Sequence, residues 1–252
     1  MGNILILGAG SIGTAFSVPC SDNAHAVTII GTHLENDFID QINSKKKHPI
    51  LNCDVASGVK FLKFEKLAEE INKKTDLIVV AVISKGIEWA SIELSQVLKK
   101  NIPILILTKG LAINNDNYEV LAHKMERLLK KNGIKETNIS AAGGPCLAKD
   151  LANKAHTSVV IANKKIKVAN QIKDLISTDY YHIFTSEDVV GVETCSAIKN
   201  IFSMAVGTTK DLNTAAALIQ QSINEMIIFN EKFIYIDNFG PFFEFSFVFF
   251  KS

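Results

Sequence analysis

The chain predicts an α/β fold: a doubly wound parallel sheet followed by an incomplete all-α C-terminal domain. Three observations predict it. A short apolar run opens the chain and leads straight into a glycine-rich turn. Apolar runs of strand length then alternate with helical patterns up to about Thr185. From Glu187 the alternation stops and two helical patterns follow. The expected division is residues 1–187 for the sheet domain and 188–252 for a partial helical domain, with an atypical tail from about residue 228.

Asn3–Leu7 (NILIL) suits a central parallel strand, apolar on both faces. Gly8-Ala9-Gly10-Ser11-Ile12-Gly13 follows at once, and Thr14-Ala15-Phe16 can begin a helix. This is G-x-G-x-x-G in its required setting of strand, tight turn and helix start, the mark of a Rossmann-like dinucleotide site. Gly8 permits the sharp turn, Gly10 lets backbone approach a pyrophosphate, and Gly13 lets the helix pack on the strand. Ser11 and Ile12 lie on the helix N-terminus, whose free N–H groups and positive dipole end face the phosphates. The cofactor-binding candidates here are therefore Gly8, Gly10, Ser11, Ile12 and Gly13.

Ala26–Ile30 (AVTII) is the second strand. An NAD-preferring site usually carries Asp or Glu at its end for the ribose hydroxyls. Here the chain reads Gly31-Thr32-His33, and the first acid is Glu35. No Arg stands ready for a 2′-phosphate, so the choice between NAD and NADP stays open. Thr32 joins the cofactor-binding candidates. Leu77–Val82, Ile104–Thr108 and Val159–Ala162 are further buried-strand candidates, with helical patterns at Ile87–Lys100 and Asn117–Asn132. Ligands of such sheets bind beyond the carboxyl ends of the strands. The loops expected there are Gly8–Gly13, Ser84–Gly86, Lys109–Gly110 and Gly143–Pro145.

Ser186 is the expected N-cap of a long helix, with Asp188 in its first turn, running to about Gly207. A second helix is expected over Thr214–Phe229. On the first, Glu193, Ser196, Lys199 and Asn200 fall within an arc of roughly 120°. The rest (Val189, Val190, Val192, Ile198, Ile201, Phe202, Met204, Val206) is apolar enough to be buried. Burying an ammonium group is costly unless it is paired or used, so Lys199 asks for a chemical role.

Composition narrows the class. The chain has 252 residues, 47% of them hydrophobic, and a net charge of +1, which argues against nucleic acid or an anionic membrane as partner. Cys20, Cys53, Cys146 and Cys195 form no CxxC pair, which suits reduced thiols in the cytoplasm rather than a disulfide frame or a metal site. His48 and the other histidines lack a partner pattern and read as loop or core residues. No signal peptide opens the chain, and no apolar run reaches membrane-spanning length.

Several motifs in order resemble the NAD(P)-dependent glycerol-3-phosphate dehydrogenases. These are GAGSIGTA at Gly8–Ala15, TKGL at Thr108–Leu111, GGPCLAKDL at Gly143–Leu151, DVVGVETCSAIKN at Asp188–Asn200 and NTAAALIQQSINEM at Asn213–Met226. The resemblance implies NAD or NADP as cofactor. It implies reversible hydride transfer between the nicotinamide and a small-molecule substrate, dihydroxyacetone phosphate or sn-glycerol 3-phosphate. Lys199 matches the family's catalytic lysine, Asn200 its substrate-binding neighbour, and Lys109 its second active-site lysine, close also to the cofactor. Ala148, after the glycine–proline turn, is a further cofactor-binding candidate. Glu193 and Ser196 stand where they could orient or neutralise Lys199. The family's members are often dimers, so a homodimer is one expectation.

The chain departs from that family at its end. The resemblance stops near Ile227, and nine of the fifteen Phe lie between Phe229 and Phe250. The expectation is a truncated or frame-altered copy with weak substrate binding. Arg127 is the one arginine, so none serves the second domain as a bidentate phosphate clamp. Phe239–Phe250 is apolar, β-prone and an aggregation hazard if exposed. Two alternatives follow: a dinucleotide-binding protein without turnover, or a related β-hydroxyacid-type dehydrogenase. Against the second, Lys199 and Asn200 are adjacent, where that type spaces them as Lys-x-x-x-Asn.

Overall fold

A computed structural model describes residues 1–72, 74–115 and 117–237. Twelve strands occur among them: β1 (Asn3–Leu7), β2 (Ala26–Ile30), β3 (Lys47–His48), β4 (Cys53–Asp54), β5 (Lys60–Leu62), β6 (Leu77–Val80), β7 (Ile104–Ile106), β8 (Leu111–Asn114), β9 (Asn117–Val120), β10 (Ile139–Gly143), β11 (Thr157–Ala162) and β12 (Tyr181–Ser186). The α-helices are α1 (Ser11–Asp22), α2 (Asn36–Lys45), α3 (Leu67–Asn72), α4 (Ile87–Val97), α5 (Leu121–Lys131), α6 (Ala148–Ala152), α7 (Ile166–Ile176), α8 (Val189–Gly207) and α9 (Leu212–Asp237).

Eight strands form the main sheet in the order β12-β11-β10-β7-β6-β1-β2-β5. The six from β5 to β10 are mutually parallel. The sheet is not wholly parallel, as the sequence reading had it: β11 runs antiparallel to β10, and β12 follows β11. The link from β10 to β11 holds only the five-residue α6, which packs on α1 instead of crossing the sheet. Without a crossover helix the chain turns back beside its own strand.

Successive residues of the central strands go to opposite faces. Ile4, Ile6, Leu77, Val79 and Leu105 pack with Phe16 of α1 and Ile172 of α7. Leu5, Leu7, Ile78, Val80, Ile104 and Ile106 pack with Leu94 of α4, Met125 of α5 and Val192 of α8. Burial on both faces is why these strands read as unbroken apolar runs. Each buried Leu or Ile contributes about 1.5–3 kcal/mol before chain entropy is set against it.

Several expectations need correction. Asn117–Asn132 is not one helix: its first four residues are β9, hydrogen-bonded to β8, and only Leu121–Lys131 is helical. The cap of α8 is Asp188, whose Oδ1 accepts from Gly191 N–H at 2.7 Å, and not Ser186, which ends β12 and accepts from Asp188 N–H. The C-terminal half of α8 is not core, since Ile201 and Met204 are 68% and 73% exposed. One apolar run does reach spanning length. By length and composition α8 could cross a membrane, yet it is docked on β10 and α9 and its first six residues are buried. The helix expected over Thr214–Phe229 runs from Leu212 to Asp237. The aromatic stretch Phe239–Phe250 lies outside the described residues.

Candidate active site

Because β1, β6, β7 and β10 are parallel neighbours, the loops after them emerge on one edge of the sheet. At about 4.8 Å per strand, the ends of β1 and β10 stand roughly 14 Å apart. The loop after β1 is the glycine turn. Gly8 has φ +111°, and a Cβ there would lie 2.8 Å from Ala81 O. A Cβ on Gly13 would overlap Gly8 O, so α1 can seat on β1 only with glycine at that position. Helix α1 starts at Ser11, with Gly10 as its uncapped N-terminal residue. The backbone N–H groups of its first turn therefore have no acceptor within the helix. Above Gly10 the nearest atom is Glu35 Oε1, 4.0 Å from where a Cβ would stand. Free donors, a positive helix end and open space fit a dinucleotide pyrophosphate.

The loop is fixed through Ala9. Its N–H donates to Glu35 Oε2 at 3.2 Å, and the same oxygen accepts from Thr32 N–H at 2.7 Å. Its carbonyl accepts from Thr14 Oγ1 at 3.2 Å and meets His48 Nε2, also at 3.2 Å. His48 is completely buried, and its Nδ1 accepts from Leu51 N–H at 3.0 Å, which leaves Nε2 as the donor to Ala9. Burial holds this imidazole below its usual pKa, so it stays neutral.

The second centre lies at the ends of β7 and β10. Lys199 Nζ donates to Gly144 O at 2.6 Å, and Lys109 Nζ reaches the same oxygen at 3.5 Å. Gly144 has φ +133°, the turn that presents this carbonyl. Two ammonium groups thus share one backbone acceptor. Burial, and then the charge of Lys109, push the Lys199 pKa down to about 8. The Cys146 thiol lies within electrostatic reach of both lysines, yet burial raises its pKa and keeps it protonated.

Glu193 and Ser196 do not pair with Lys199. Glu193 Oε2 accepts from Ala122 N–H at 2.9 Å, so the carboxyl caps α5 from inside the core. Its burial pushes the pKa up to about 8. Ser196 Oγ is buried against Gly143 and has no hydrogen-bond partner among the described residues. Asn200 is exposed and joins neither lysine. A cavity of about 360 Å³ beneath α5, lined by Glu126, Lys130 and Ile139, lies at the amino ends of the strands, away from these loops.

The family model described as the N-terminus of NAD-dependent glycerol-3-phosphate dehydrogenase matches residues 3–169, and the model of its C-terminus matches residues 188–248. The chain belongs to this family. The C-terminal match carries the likeness past Ile227, where the sequence reading stopped it. The NADP(+)-dependent glycerol-3-phosphate dehydrogenase of Archaeoglobus fulgidus is 28% identical, over 88% of this chain and 68% of that protein. The glycerol-3-phosphate dehydrogenase [NAD(P)+] of Bacillus velezensis is 32% identical, over 90% of this chain and 65% of that protein. The chain thus spans about two thirds of the length of these relatives. The fold is that of the Plasmodium falciparum glycerol-3-phosphate dehydrogenase structure, with a TM-score of 0.78 at 21% identity, over 95% of this chain and 68% of that one.

Of the residues singled out from the sequence, the structure brings Gly8, Gly10, Ser11, Ile12, Gly13 and Thr32 together at the ends of β1 and β2. Lys109 and Lys199 meet at Gly144. Ala148 starts α6, which lies along α1. Glu35 stands in the sequence only as the first acid after β2 and His48 as a loop or core residue, the latter matching its full burial; the sequence does not show that both reach Ala9, nor that the Gly144 carbonyl joins the two lysines. An acid or imidazole that reaches a loop through folding leaves no local pattern to read.

Proposed function

We propose that this chain binds a nicotinamide dinucleotide, NAD or NADP, and acts in the interconversion of dihydroxyacetone phosphate and sn-glycerol 3-phosphate. The observation that carries this reading is the convergence of Lys199 and Lys109 on Gly144 O, on the sheet edge that holds the glycine loop. Gly8, Gly10, Ser11, Ile12 and Gly13 would hold the pyrophosphate, with Thr32 and Ala148 beside it. The dinucleotide, when bound, supplies or accepts the hydride. As negative charge develops on the ketone oxygen, the Lys199 ammonium stabilises it and gives it a proton; in the reverse direction its neutral amine takes the proton of the alcohol. A pKa near 8 suits both directions close to neutral pH. Lys109 lowers that pKa and adds a second positive charge for the substrate. Asn200, one residue on, is the proposed substrate-binding neighbour.

We also infer two units, residues 1–187 and 188–252, a division supported by the separate family matches at 3–169 and 188–248. Four unpaired thiols suit a cytoplasmic setting. One observation favours binding without turnover: Arg127, the chain's one arginine, is engaged bidentately by Glu119 at 2.7 and 2.9 Å and is not free to clamp a phosphate. The test is oxidation of NADH and of NADPH by the purified chain with dihydroxyacetone phosphate, beside equilibrium titration of each cofactor. Turnover supports the dehydrogenase; saturable binding without turnover supports the second reading.

A further inference from the structure

We propose that Glu35 makes this chain select NAD over NADP by placing a fixed carboxylate where the adenosine ribose of the dinucleotide would lie. The inference rests on the dinucleotide reading above and names the cofactor which that reading leaves open.

Strand β2 is the parallel neighbour of β1, and Gly8 N–H donates to Ile30 O at 2.8 Å, so the residues after β2 flank the glycine loop. Glu35 is not at the strand end, where a ribose-binding acid is usually sought. It stands at the entrance to α2 and reaches back. The N–H groups of Ala9 and Thr32 both grip Oε2, which fixes the carboxylate in place. Oε1 makes no hydrogen bond among the described residues, and it borders the open space above Gly10. A free acceptor oxygen bearing negative charge thus faces the ligand side of the loop. Ribose hydroxyls can donate to it. A 2′-phosphate cannot donate, and it brings like charge into a half-buried site, where repulsion is poorly screened.

Among the described residues no Lys or Arg pairs with Glu35, and Lys63, just after β5, is bound to Asp40 at 2.7 Å. Arg127 is on α5 and bound to Glu119. Gly31–Leu34 contains no Lys or Arg, and the His33 ring lies against Trp89, 5.1 Å between centroids. The N–H groups at the start of α1 remain free, so Glu35 leaves the phosphate donors alone.

Trp89 is the chain's one tryptophan and reports on this end of the site. The experiment titrates wild type, E35Q and E35A with NADH and with NADPH, by Trp fluorescence and calorimetry, without substrate. E35Q removes the charge but keeps an oxygen to accept from Ala9 and Thr32. Wild type is expected to bind NADH at least about tenfold more tightly than NADPH. E35Q should bring the ratio to within about twofold, chiefly by tightening NADPH. Equal affinities in wild type, or a preference for NADPH, would overturn the proposal. So would an E35Q ratio unchanged from wild type, even if E35A weakens both cofactors, because Glu35 would then only support the loop. Binding of neither cofactor to wild type overturns the dinucleotide reading itself, a result distinct from a lost preference.

Discussion

In the proposed reaction Lys199 is the proton donor, and its surroundings make the prediction quantitative. Replacing it by Ala removes the proton donor but leaves the glycine loop untouched. Ketone reduction should fall about 10²–10³-fold or more while the Kd for NADH changes less than about twofold. Loss of both would mean a structural role. The ammonium form is needed for reduction, so that rate should decline as pH rises through about 8. Alcohol oxidation needs the amine and should rise over the same interval. Lys109 depresses the Lys199 pKa, so Lys109→Met should move both limbs to higher pH in a pH–rate profile. An unmoved profile would show that the two ammonium groups do not interact.

At the scale of elements, α8 joins the site to the core through Glu193. Its carboxyl is wholly buried at the start of α5, with a pKa near 8 in the fold against an ordinary value of 4.5. A carboxyl raised on folding contributes stability that is fully present below about pH 4.5 and is lost as pH rises through about 8. Unfolding free energy from urea melts should therefore fall between pH 5 and 8, by at most about 1.4 kcal/mol per pH unit for this one group. Glu193→Gln should flatten that slope relative to wild type. Burial raises Asp188 as well, so the comparison lies in the difference between the two proteins. An identical slope would mean that Glu193 is ionised in the fold, with a counter-charge the described contacts do not include.

For the whole molecule, the two halves of α8 have opposite surroundings. Val189–Ser196 is mostly core, while Ile201, Met204 and, on α9, Leu212 and Ile228 are exposed. Ile201 and Met204, three residues apart on α8, lie on one side of that helix, and a neighbouring exposed apolar pair favours association. Ile201→Lys combined with Met204→Glu should reduce concentration-dependent light scattering of the purified chain and leave its helical circular dichroism unchanged. Equal scattering by the double variant would show that this face is not the sticky one.

The sequence by itself determined the central strands β1, β2, β6, β7 and β11 and the glycine loop. Strands β1 and β2 fall where the apolar runs put them, because a strand buried on both faces leaves a continuous local signal. Gly8 and Gly13 were legible for a similar reason, since turn geometry and close approach constrain the residue on the spot. Lys109 and Lys199 were legible as conspicuous charges in ordered motifs. The reversal of β11, the meeting of the two lysines at Gly144, the capture of Glu193 by α5 and the reach of Glu35 to Ala9 were decided only by tertiary structure. Each joins residues between 20 and 100 positions apart or depends on which way a connection turns. Such contacts are set by packing of the whole sheet and its helices, and a short window of sequence does not contain them.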